Sequence, residues 1–123
     1  MPPRSLKNQI RYKKYRKQNP SGCGFCEAIE QRTEQVIETF GTMSILTNLF
    51  PYARWDGRKV RRHLMVVPNR HATTLGSLSE QESSDLHALM SRYEAEGYSF
   101  YIRSDANRSK SMAHLHGHLI HAV

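Results

Sequence analysis

The stretch His114-Leu-His-Gly-His-Leu-Ile120 carries the strongest pattern in this 123-residue chain. Polar and apolar residues alternate along it, which is typical of a strand with one buried face. The three histidines then project from one face, while Leu115 and Leu119 point the other way into a core. Imidazoles are poor core material, because each ring nitrogen needs a hydrogen-bond partner. The stretch therefore predicts a strand that carries a functional site.

Two kinds of site fit this strand. Imidazoles at alternate positions can bind zinc, and a neutral imidazole is also a competent nucleophile toward phosphorus. The segment just upstream, Asn-Arg-Ser-Lys-Ser at residues 107–111, supplies hydroxyls, backbone amides and cations. A phosphate-binding rim requires these groups. Both kinds of site can therefore apply, to different histidines.

Apolar periodicity, turn residues and a capping box divide the rest of the chain into elements. The result is about five strands and one long helix, with hairpin-length links between several strands. We therefore expect an α+β domain built on an antiparallel sheet. The predicted elements are helices over 5–17, 27–31 and from Ser79 to Gly97, strands over 34–40, 43–47, 63–68, 98–103 and 114–120, and a loop over 48–62.

The formal net charge of +7 is confined to the N-terminus. Seven of the first seventeen residues are basic and none is acidic, while the rest of the chain carries eleven residues of each sign. We therefore divide the chain into a basic tail, residues 1–20, and a domain, residues 21–123. Such a tail is typical of a solvated segment, or of a surface that binds nucleic acid through counterion release.

The sequence shows neither a membrane-spanning stretch nor the apolar core of a signal peptide, so we expect a cytoplasmic protein with no membrane contact. Cys23 and Cys26 lie too close together for a disulfide that would stabilise the fold usefully. In a reducing compartment such a pair favours metal ligation or redox chemistry.

Three motifs, in this order, resemble the zinc-binding Cys-x-x-Cys branch of the histidine-triad (HIT) family. Cys23-Gly-Phe-Cys26 supplies the first motif. The stretch from His63 to His71 is similar to the family's His-apolar-Val-apolar-Pro-x-x-His strand, and residues 114–120 match the triad. The resemblance spans residues 21–121. It implies a HIT-like fold, with an antiparallel sheet, one long helix and an N-terminal zinc knuckle.

The resemblance also implies roles for single residues. His116 matches the middle histidine, which attacks the α-phosphate of a nucleotide while a backbone carbonyl holds its other ring nitrogen. His118 matches the histidine that binds phosphate oxygens, and His63 matches the one that closes the phosphate pocket. Asn48 matches the position that holds the ribose hydroxyls. Ser111 matches a residue that contacts the same phosphate.

Four further matches imply a structural zinc ion. A complete set of two cysteines and two histidines leaves no open coordination position, as is typical of a structural site. Such a site would join the N-terminal knuckle to the sheet and contribute to folding. The implied ligands are Cys23, Cys26, His71 and His114.

The implied activity is hydrolysis of a nucleoside phosphoramidate or a dinucleoside polyphosphate to a nucleoside monophosphate, by a homodimer. Nucleotidyl transfer or phosphorolysis is an alternative, although those relatives commonly carry glutamine where His118 stands. The basic tail motivates another alternative, a nucleic-acid-associated protein that removes adenylate from nucleic-acid ends or binds them.

Three positions depart from the family pattern. Gly117 replaces a residue that is usually apolar, which predicts either a close neighbour or a looser strand. Arg103 lies about where many members carry an asparagine on the leaving-group side. The segment 54–62 is longer and more basic than the turn usual there. These differences bear on the substrate more than on the reaction class.

Overall fold

The computed structural model describes residues 4–18, 23–107 and 112–123. Ser111 and the boundary after residue 20 lie outside these residues, so both stay predictions of the sequence. Two short 3-10 turns, Leu75–Ser77 and Asp105–Asn107, complete the described elements. The helices and strands are α1 (Leu6–Gln18), α2 (Gly24–Gln31), β1 (Val36–Phe40), β2 (Met43–Thr47), β3 (Arg54–Trp55), β4 (Arg58–Pro68), α3 (Glu80–Ala95), β5 (Ser99–Ile102) and β6 (Gly117–Ala122).

The described strands form one antiparallel sheet in the order β1-β2-β4-β6-β5, with β3 paired to β4 outside this path. The prediction of an α+β domain with an antiparallel sheet is confirmed. The sheet has six strands rather than five, because the short strand β3 was not expected. The long central strand β4 lies beside β6, so the two histidine-bearing stretches of the sequence are neighbours.

The prediction of a loop over residues 48–62 is wrong for β3 and for the first half of β4. Asp56 and Gly57, with φ of 56° and 71°, turn the chain tightly between the two strands. The residues that follow are mostly exposed and basic, so their side chains show no apolar pattern. This part of β4 is a strand because the backbones of Val60 and Arg62 pair with the end of β6.

The strand predicted over residues 114–120 begins only at Gly117. The residues just before it run alongside the end of β4 without joining the sheet, and the Leu115 amide donates to the carbonyl oxygen of Ala72 at 2.7 Å. The predicted alternation therefore describes His118 and Leu119 within β6. It does not describe His114, whose ring faces Cys23 and Cys26 instead.

The two faces of the sheet carry different layers. Helix α3 covers one face and begins with the predicted capping box, in which Ser79 and Glu82 exchange side-chain hydrogen bonds with backbone amides. Helix α2 covers part of the other face. The first layer contains Leu64, Val66, Leu86, Leu89, Tyr93 and Leu119, and the second contains Phe25, Ala28, Leu46, Met65 and Val67.

The fold requires glycine at position 117, because the Phe100 ring occupies the space that a side chain would need. A Cβ atom built there would lie 2.6 Å from Cε2 of Phe100 and 3.0 Å from Cγ1 of Val66. Both distances are below ordinary van der Waals contact, so a larger residue would force the core to shift. Of the two explanations predicted for this glycine, the close neighbour is confirmed.

Arg4, just before helix α1, and Asn8, in its first turn, anchor this segment to the rest of the domain. The Arg4 side chain donates through Nε to the carbonyl oxygen of Phe50 at 2.7 Å, and Asn8 donates to the carbonyl oxygen of Pro51 at 3.2 Å. The predicted helix over 5–17 is confirmed. The interpretation of the tail as a solvated segment is wrong for Arg4 and Asn8, although Leu6 and Ile10 are exposed.

In the part of the chain that the structure describes, none of the helices combines the length and apolar character that a bilayer crossing requires.

Candidate active site and metal centre

The four predicted metal ligands converge at one end of the sheet. Cys23 and Cys26 lie at the start of α2, His71 follows β4, and His114 precedes β6. Their candidate ligand atoms all lie within 4.8 Å of one another. Nδ1 of His114 is 3.4 Å from each sulfur atom, and Nδ1 of His71 is 3.2 Å from Sγ of Cys26. Ligands on a shared tetrahedral ion have such spacings, so this cluster could hold a metal ion.

A hydrogen bond prepares His114 for this role. Its Nε2–H donates to the carbonyl oxygen of Pro68 at 2.8 Å, so that Nδ1, which faces the cysteines, is the unprotonated nitrogen. A metal-binding histidine usually makes such a bond with its second nitrogen. Burial, together with the neighbouring Cys23, raises the pKa of the Cys26 thiol to about 11. A metal ion would therefore displace a proton from this thiol as it binds.

A cleft of about 110 Å³, open to solvent, lies on the α2 side of the sheet. The two histidines His116 and His118 line its middle. The apolar part of its lining includes Phe25 of α2 and Met65 of β4. Its polar part includes Asn48, Tyr52 and two arginines. The described lining residues are Arg4, Gly24, Phe25, Gln35, Asn48, Leu49, Phe50, Tyr52, Met65, Arg103, Met112, His116 and His118.

A hydrogen bond to a nearby backbone carbonyl group sets the tautomer of His116. Its Nδ1–H donates to the carbonyl oxygen of His114 at 2.9 Å. Nε2 of the neutral ring is then unprotonated and carries the lone pair that a nucleophile needs. The ring is buried and packs 5.2 Å from the ring of Phe25. The expected contact between this histidine and a backbone carbonyl is confirmed.

Tyr52, His63 and His118 form a chain of hydrogen bonds. The Tyr52 amide donates to Nδ1 of His63 at 3.1 Å, which places the proton of His63 on Nε2. That Nε2–H donates to Nδ1 of His118 at 2.8 Å, so the proton of His118 lies on its own Nε2. His63 is behind His118 and does not itself belong to the described lining of the cleft. Its influence on a ligand therefore passes through His118.

Burial keeps these two histidines neutral. It lowers the pKa of His63 to about 3, with a smaller contribution from the charge of Arg4. It also lowers the pKa of His118 to about 2, with His63 as the next cause. Both rings are therefore donors on one nitrogen and acceptors on the other at neutral pH, as the chain of hydrogen bonds requires.

We expect the free energy of unfolding to fall as the pH drops below about 6.5, where the unfolded chain protonates both histidines. The folded protein takes up these protons only near pH 3 for His63 and pH 2 for His118. Their contribution is therefore complete above pH 6.5 and lost below it, at about 1.4 kcal/mol per pH unit for each histidine. Urea unfolding at pH 7, 6 and 5 measures the slope.

The variant His63→Gln/His118→Asn is the control for this pH dependence, because it keeps the metal ligands and all other titrating groups. We expect its stability to change less with pH than that of the wild type. Equal slopes in the two proteins would contradict the assignment.

Aromatic rings fix the position of His118 from one side. The rings of Trp55, Tyr101 and His118 form a parallel stack, with centroid distances of 4.8 Å and 4.5 Å between successive rings. The Tyr52 and Tyr101 hydroxyl groups share a hydrogen bond, and Arg103 donates to the Tyr52 hydroxyl at 3.1 Å. This network joins β3, β5 and β6 beside the cleft and holds the His118 ring in one orientation.

Asn48 lines the cleft directly after β2, and its role toward a ribose stays a prediction. Its Oδ1 accepts from the Phe50 amide at 2.8 Å, which fixes the orientation of the side chain. Sequence reasoning did not assign Phe25, Met65 or Arg4 to the cleft. Phe25 reaches the cleft because α2 packs on the sheet, Met65 because β4 turns this side chain toward α2, and Arg4 because the residues before α1 bond to Phe50.

The structure thus combines three closely spaced histidines with a Cys2His2 cluster on an antiparallel sheet, which α3 covers on one face and α2 covers in part on the other. A family model described as the HIT domain matches residues 30–122, and the chain therefore belongs to the HIT family. Its cysteine pair and histidine cluster fit the zinc-binding branch of that family. No curated protein matches the sequence significantly.

Solved structures show the same fold at low sequence identity. A hypothetical protein from Leishmania major superposes with a TM-score of 0.67 at 19% identity, over 84% of this chain and 74% of that one. A HIT family hydrolase from Clostridium thermocellum gives 0.63 at 17% identity, over 84% and 92%. A diadenosine triphosphate hydrolase from Plasmodium falciparum gives 0.59 at 17% identity, over 70% and 59%. These likenesses confirm the HIT-like fold.

Proposed function

We propose that the protein is a HIT-type nucleotide hydrolase whose covalent intermediate forms on His116. The hydrogen bond from Nδ1 of His116 to the His114 carbonyl carries this proposal, since it leaves Nε2 unprotonated in a cleft that His118 and Asn48 also line. A hydrolase and a diadenosine triphosphate hydrolase among the structural neighbours support the reaction class.

The reaction has two steps at one phosphorus atom. Nε2 of His116 attacks the α-phosphorus, the bond from phosphorus to the leaving group breaks, and the leaving group departs with the electron pair. Water then attacks the same phosphorus, the bond to Nε2 breaks, and a nucleoside monophosphate leaves. Splitting one displacement into two suits a nucleophile that the protein holds in line.

The neighbouring side chains bind and orient the phosphate. In the assigned tautomer, Nε2–H of His118 can donate to a phosphate oxygen and stabilise the charge that develops there. His63 positions His118 through their shared hydrogen bond. Asn48 holds the ribose hydroxyls, and Ser111 contacts the phosphate. The roles of these four residues are part of the proposal.

We assign a structural zinc ion to Cys23, Cys26, His71 and His114. The donor set of two sulfur and two nitrogen atoms is the one that zinc prefers in closed tetrahedral sites. Bound there, the ion would supply four ligand bonds that join α2, β4 and the start of β6. This chain's own contribution to catalysis stays with the two histidines that line the cleft.

A substrate panel tests the reaction class. Adenosine and guanosine phosphoramidates, dinucleoside polyphosphates and adenylated oligonucleotides are incubated with the protein, and we expect release of nucleoside monophosphate. Added phosphate distinguishes nucleotidyl transfer, which would yield nucleoside diphosphate instead. No release from any member of the panel would overturn the proposal. The homodimer and the cytoplasmic location stay predictions of the sequence.

A further inference from the structure

We propose that a basic hairpin, residues 54–62, binds the phosphate backbone of a nucleic acid next to the cleft. The basic hairpin consists of β3, the turn at Asp56 and Gly57, and the first half of β4. The inference does not depend on the proposed hydrolysis, because none of these residues belongs to the described lining of the cleft. It assigns nucleic-acid contact to a part of the sheet, in addition to the basic tail.

The basic hairpin concentrates positive charge in an otherwise acidic domain. Of the eleven basic and eleven acidic residues after the tail, five basic residues and one acidic residue lie in the hairpin. The rest of the domain therefore carries six basic and ten acidic residues. This uneven distribution attracts a polyanion and directs it toward the hairpin. The five cations are all exposed and are Arg54, Arg58, Lys59, Arg61 and Arg62.

The charge of the hairpin is not neutralised by the described part of the protein. Neither of the two ion pairs found within residues 4–18, 23–107 and 112–123 involves the hairpin, and its own acid, Asp56, is in neither of them. Arg58 donates to the carbonyl oxygen of Val123 at 3.4 Å, but a guanidinium group has five N–H donors and keeps others for a ligand. Four of the five cations are arginines, the residue that binds phosphate through two parallel hydrogen bonds.

Two of these cations are paired directly across the hairpin. Arg54 of β3 is the partner of Lys59 of β4. Directly opposed residues of an antiparallel pair project to the same face, and like charges in these positions destabilise the fold. A phosphate group that contacts both cations removes this repulsion, because it brings a negative charge between them. The pairing therefore costs stability in the free protein and favours the state with a bound anion.

The shape of the hairpin suits a nucleic acid. Its turn has positive φ at both central residues, as a tight two-residue hairpin connection requires. Strand β2 pairs with β4 only from Leu64 onward, so the hairpin extends past the end of β2. The major groove of duplex DNA is wide enough for a two-stranded ribbon. Side chains on both faces of such a ribbon can then reach phosphate groups on the two sides of the groove.

Aromatic stacking places the hairpin beside the cleft. The Trp55 ring of β3 stacks on Tyr101 with a centroid distance of 4.8 Å, and Tyr101 stacks on His118, which lines the cleft, at 4.5 Å. Trp55 is also stacked on Tyr52, another lining residue, at 5.9 Å. These contacts hold the hairpin in place before a ligand arrives, which lowers the entropic cost of binding. A nucleic acid bound to the hairpin therefore passes close to the cleft.

An anionic membrane is the other polyanion that a basic surface can bind. Membrane-surface binding depends on apolar side chains that enter the lipid, in addition to cations. None of the exposed large apolar residues in the described chain lies within residues 54–62, and the Trp55 ring is stacked on its neighbours. The basic hairpin thus offers charge without an apolar face, which favours a nucleic acid over a lipid surface.

The test measures the affinity of the full chain for labelled oligonucleotides by fluorescence anisotropy. A duplex of about 20 base pairs and a single strand of the same length are titrated between about 50 and 200 mM salt. For Arg54→Gln/Lys59→Gln we expect affinity to fall at least about tenfold, and the slope of log K against log salt to become shallower by about 1–2. Loss of binding to either oligonucleotide supports the inference, and the form bound more tightly identifies the source of the phosphates.

Thermal unfolding separates a binding role from a structural one. Because Arg54→Gln/Lys59→Gln removes a repulsion, its unfolding midpoint should equal or exceed that of the wild type. The exchange Arg54→Lys/Lys59→Arg keeps both charges and should bind as the wild type does. If the glutamine variant fails to fold, Arg61→Gln/Arg62→Gln gives the result, with the same expected loss of affinity.

A matched control removes two cations from other surfaces. Arg32→Gln/Arg92→Gln changes the residue after α2 and one residue of α3, and should weaken binding by less than about threefold, because salt screens distant charges. Equal losses in this control and in the hairpin variants, or no loss in the hairpin variants, overturn the inference. Vesicles of equal parts phosphatidylserine and phosphatidylcholine test the other polyanion. If the hairpin variants lose binding to these vesicles and keep binding to both oligonucleotides, the surface binds lipid and the inference is wrong.

Discussion

Replacement of His116 by alanine is expected to lower turnover by about 10⁴-fold or more, because it removes the atom on which the covalent intermediate forms. The imidazole lines the cleft, and its hydrogen bond to the His114 carbonyl joins neighbours in sequence rather than distant elements. The unfolding midpoint and the metal content should therefore change little. Steady-state hydrolysis of the best substrate of the panel gives the turnover, and acid quenching with a labelled α-phosphate shows whether a protein-bound nucleotide accumulates.

His87→Ala is the matched control for this loss, since His87 is exposed on α3, the helix that covers the opposite face of the sheet. It should keep full activity and should show the labelled intermediate. An alanine variant at 116 with activity close to that of the wild type would end the assignment of the nucleophile. A fully inactive His87→Ala protein would show that the assay reports folding rather than chemistry.

Removal of the metal is expected to give the largest change in stability. The four ligands come from three separate elements, and a metal ion bound by Cys23, Cys26, His71 and His114 joins them in the folded state only. Chelation, or the variant Cys26→Ser, should lower the unfolding midpoint by roughly 10–20 °C, which corresponds to several kcal/mol in a domain of this size. Thermal unfolding, together with metal analysis of the purified protein, measures the effect.

Treatment of the Cys26→Ser protein with the same chelator is the control. This site has already lost a ligand, so the chelator should change its unfolding midpoint little further. Zinc should be present at one ion per chain in the wild type and depleted in the variant. A wild-type protein that contains no zinc and melts at the same temperature with and without chelator would remove the claim of a structural ion.

Local patterns in the sequence predicted much of this site. The histidines at 114, 116 and 118 and the cysteine pair are close in sequence, so their spacing alone constrains their geometry. The capping box at Ser79 and the hairpin at Gly41 are equally local, and both are confirmed. Local chemistry of this kind is visible to sequence reasoning because few residues determine it.

The remainder of the site depends on long-range packing. The basic start of β4 is a strand because it pairs with β6, although its exposed arginines show no apolar period. Arg4 reaches the cleft through a contact with Phe50 that spans much of the chain, and no motif surrounds it. Tyr52 lies between β2 and β3 and Tyr101 lies on β5, so only the folded chain brings their hydroxyl groups together. Such contacts follow from the tertiary fold and leave no signature in one sequence.

The two hydrogen-bonding ends of His114 have a consequence for how this protein can evolve. Its ring faces the cysteines, while its backbone carbonyl sets the tautomer of His116. Loss of Cys23 or Cys26 by drift would remove one set of contacts from the segment that carries this carbonyl. The orientation of His116 would then depend on the two remaining contacts, from the His114 ring to Pro68 and from the Leu115 amide to Ala72. Selection for a correctly oriented His116 would therefore act on residues far from the cleft.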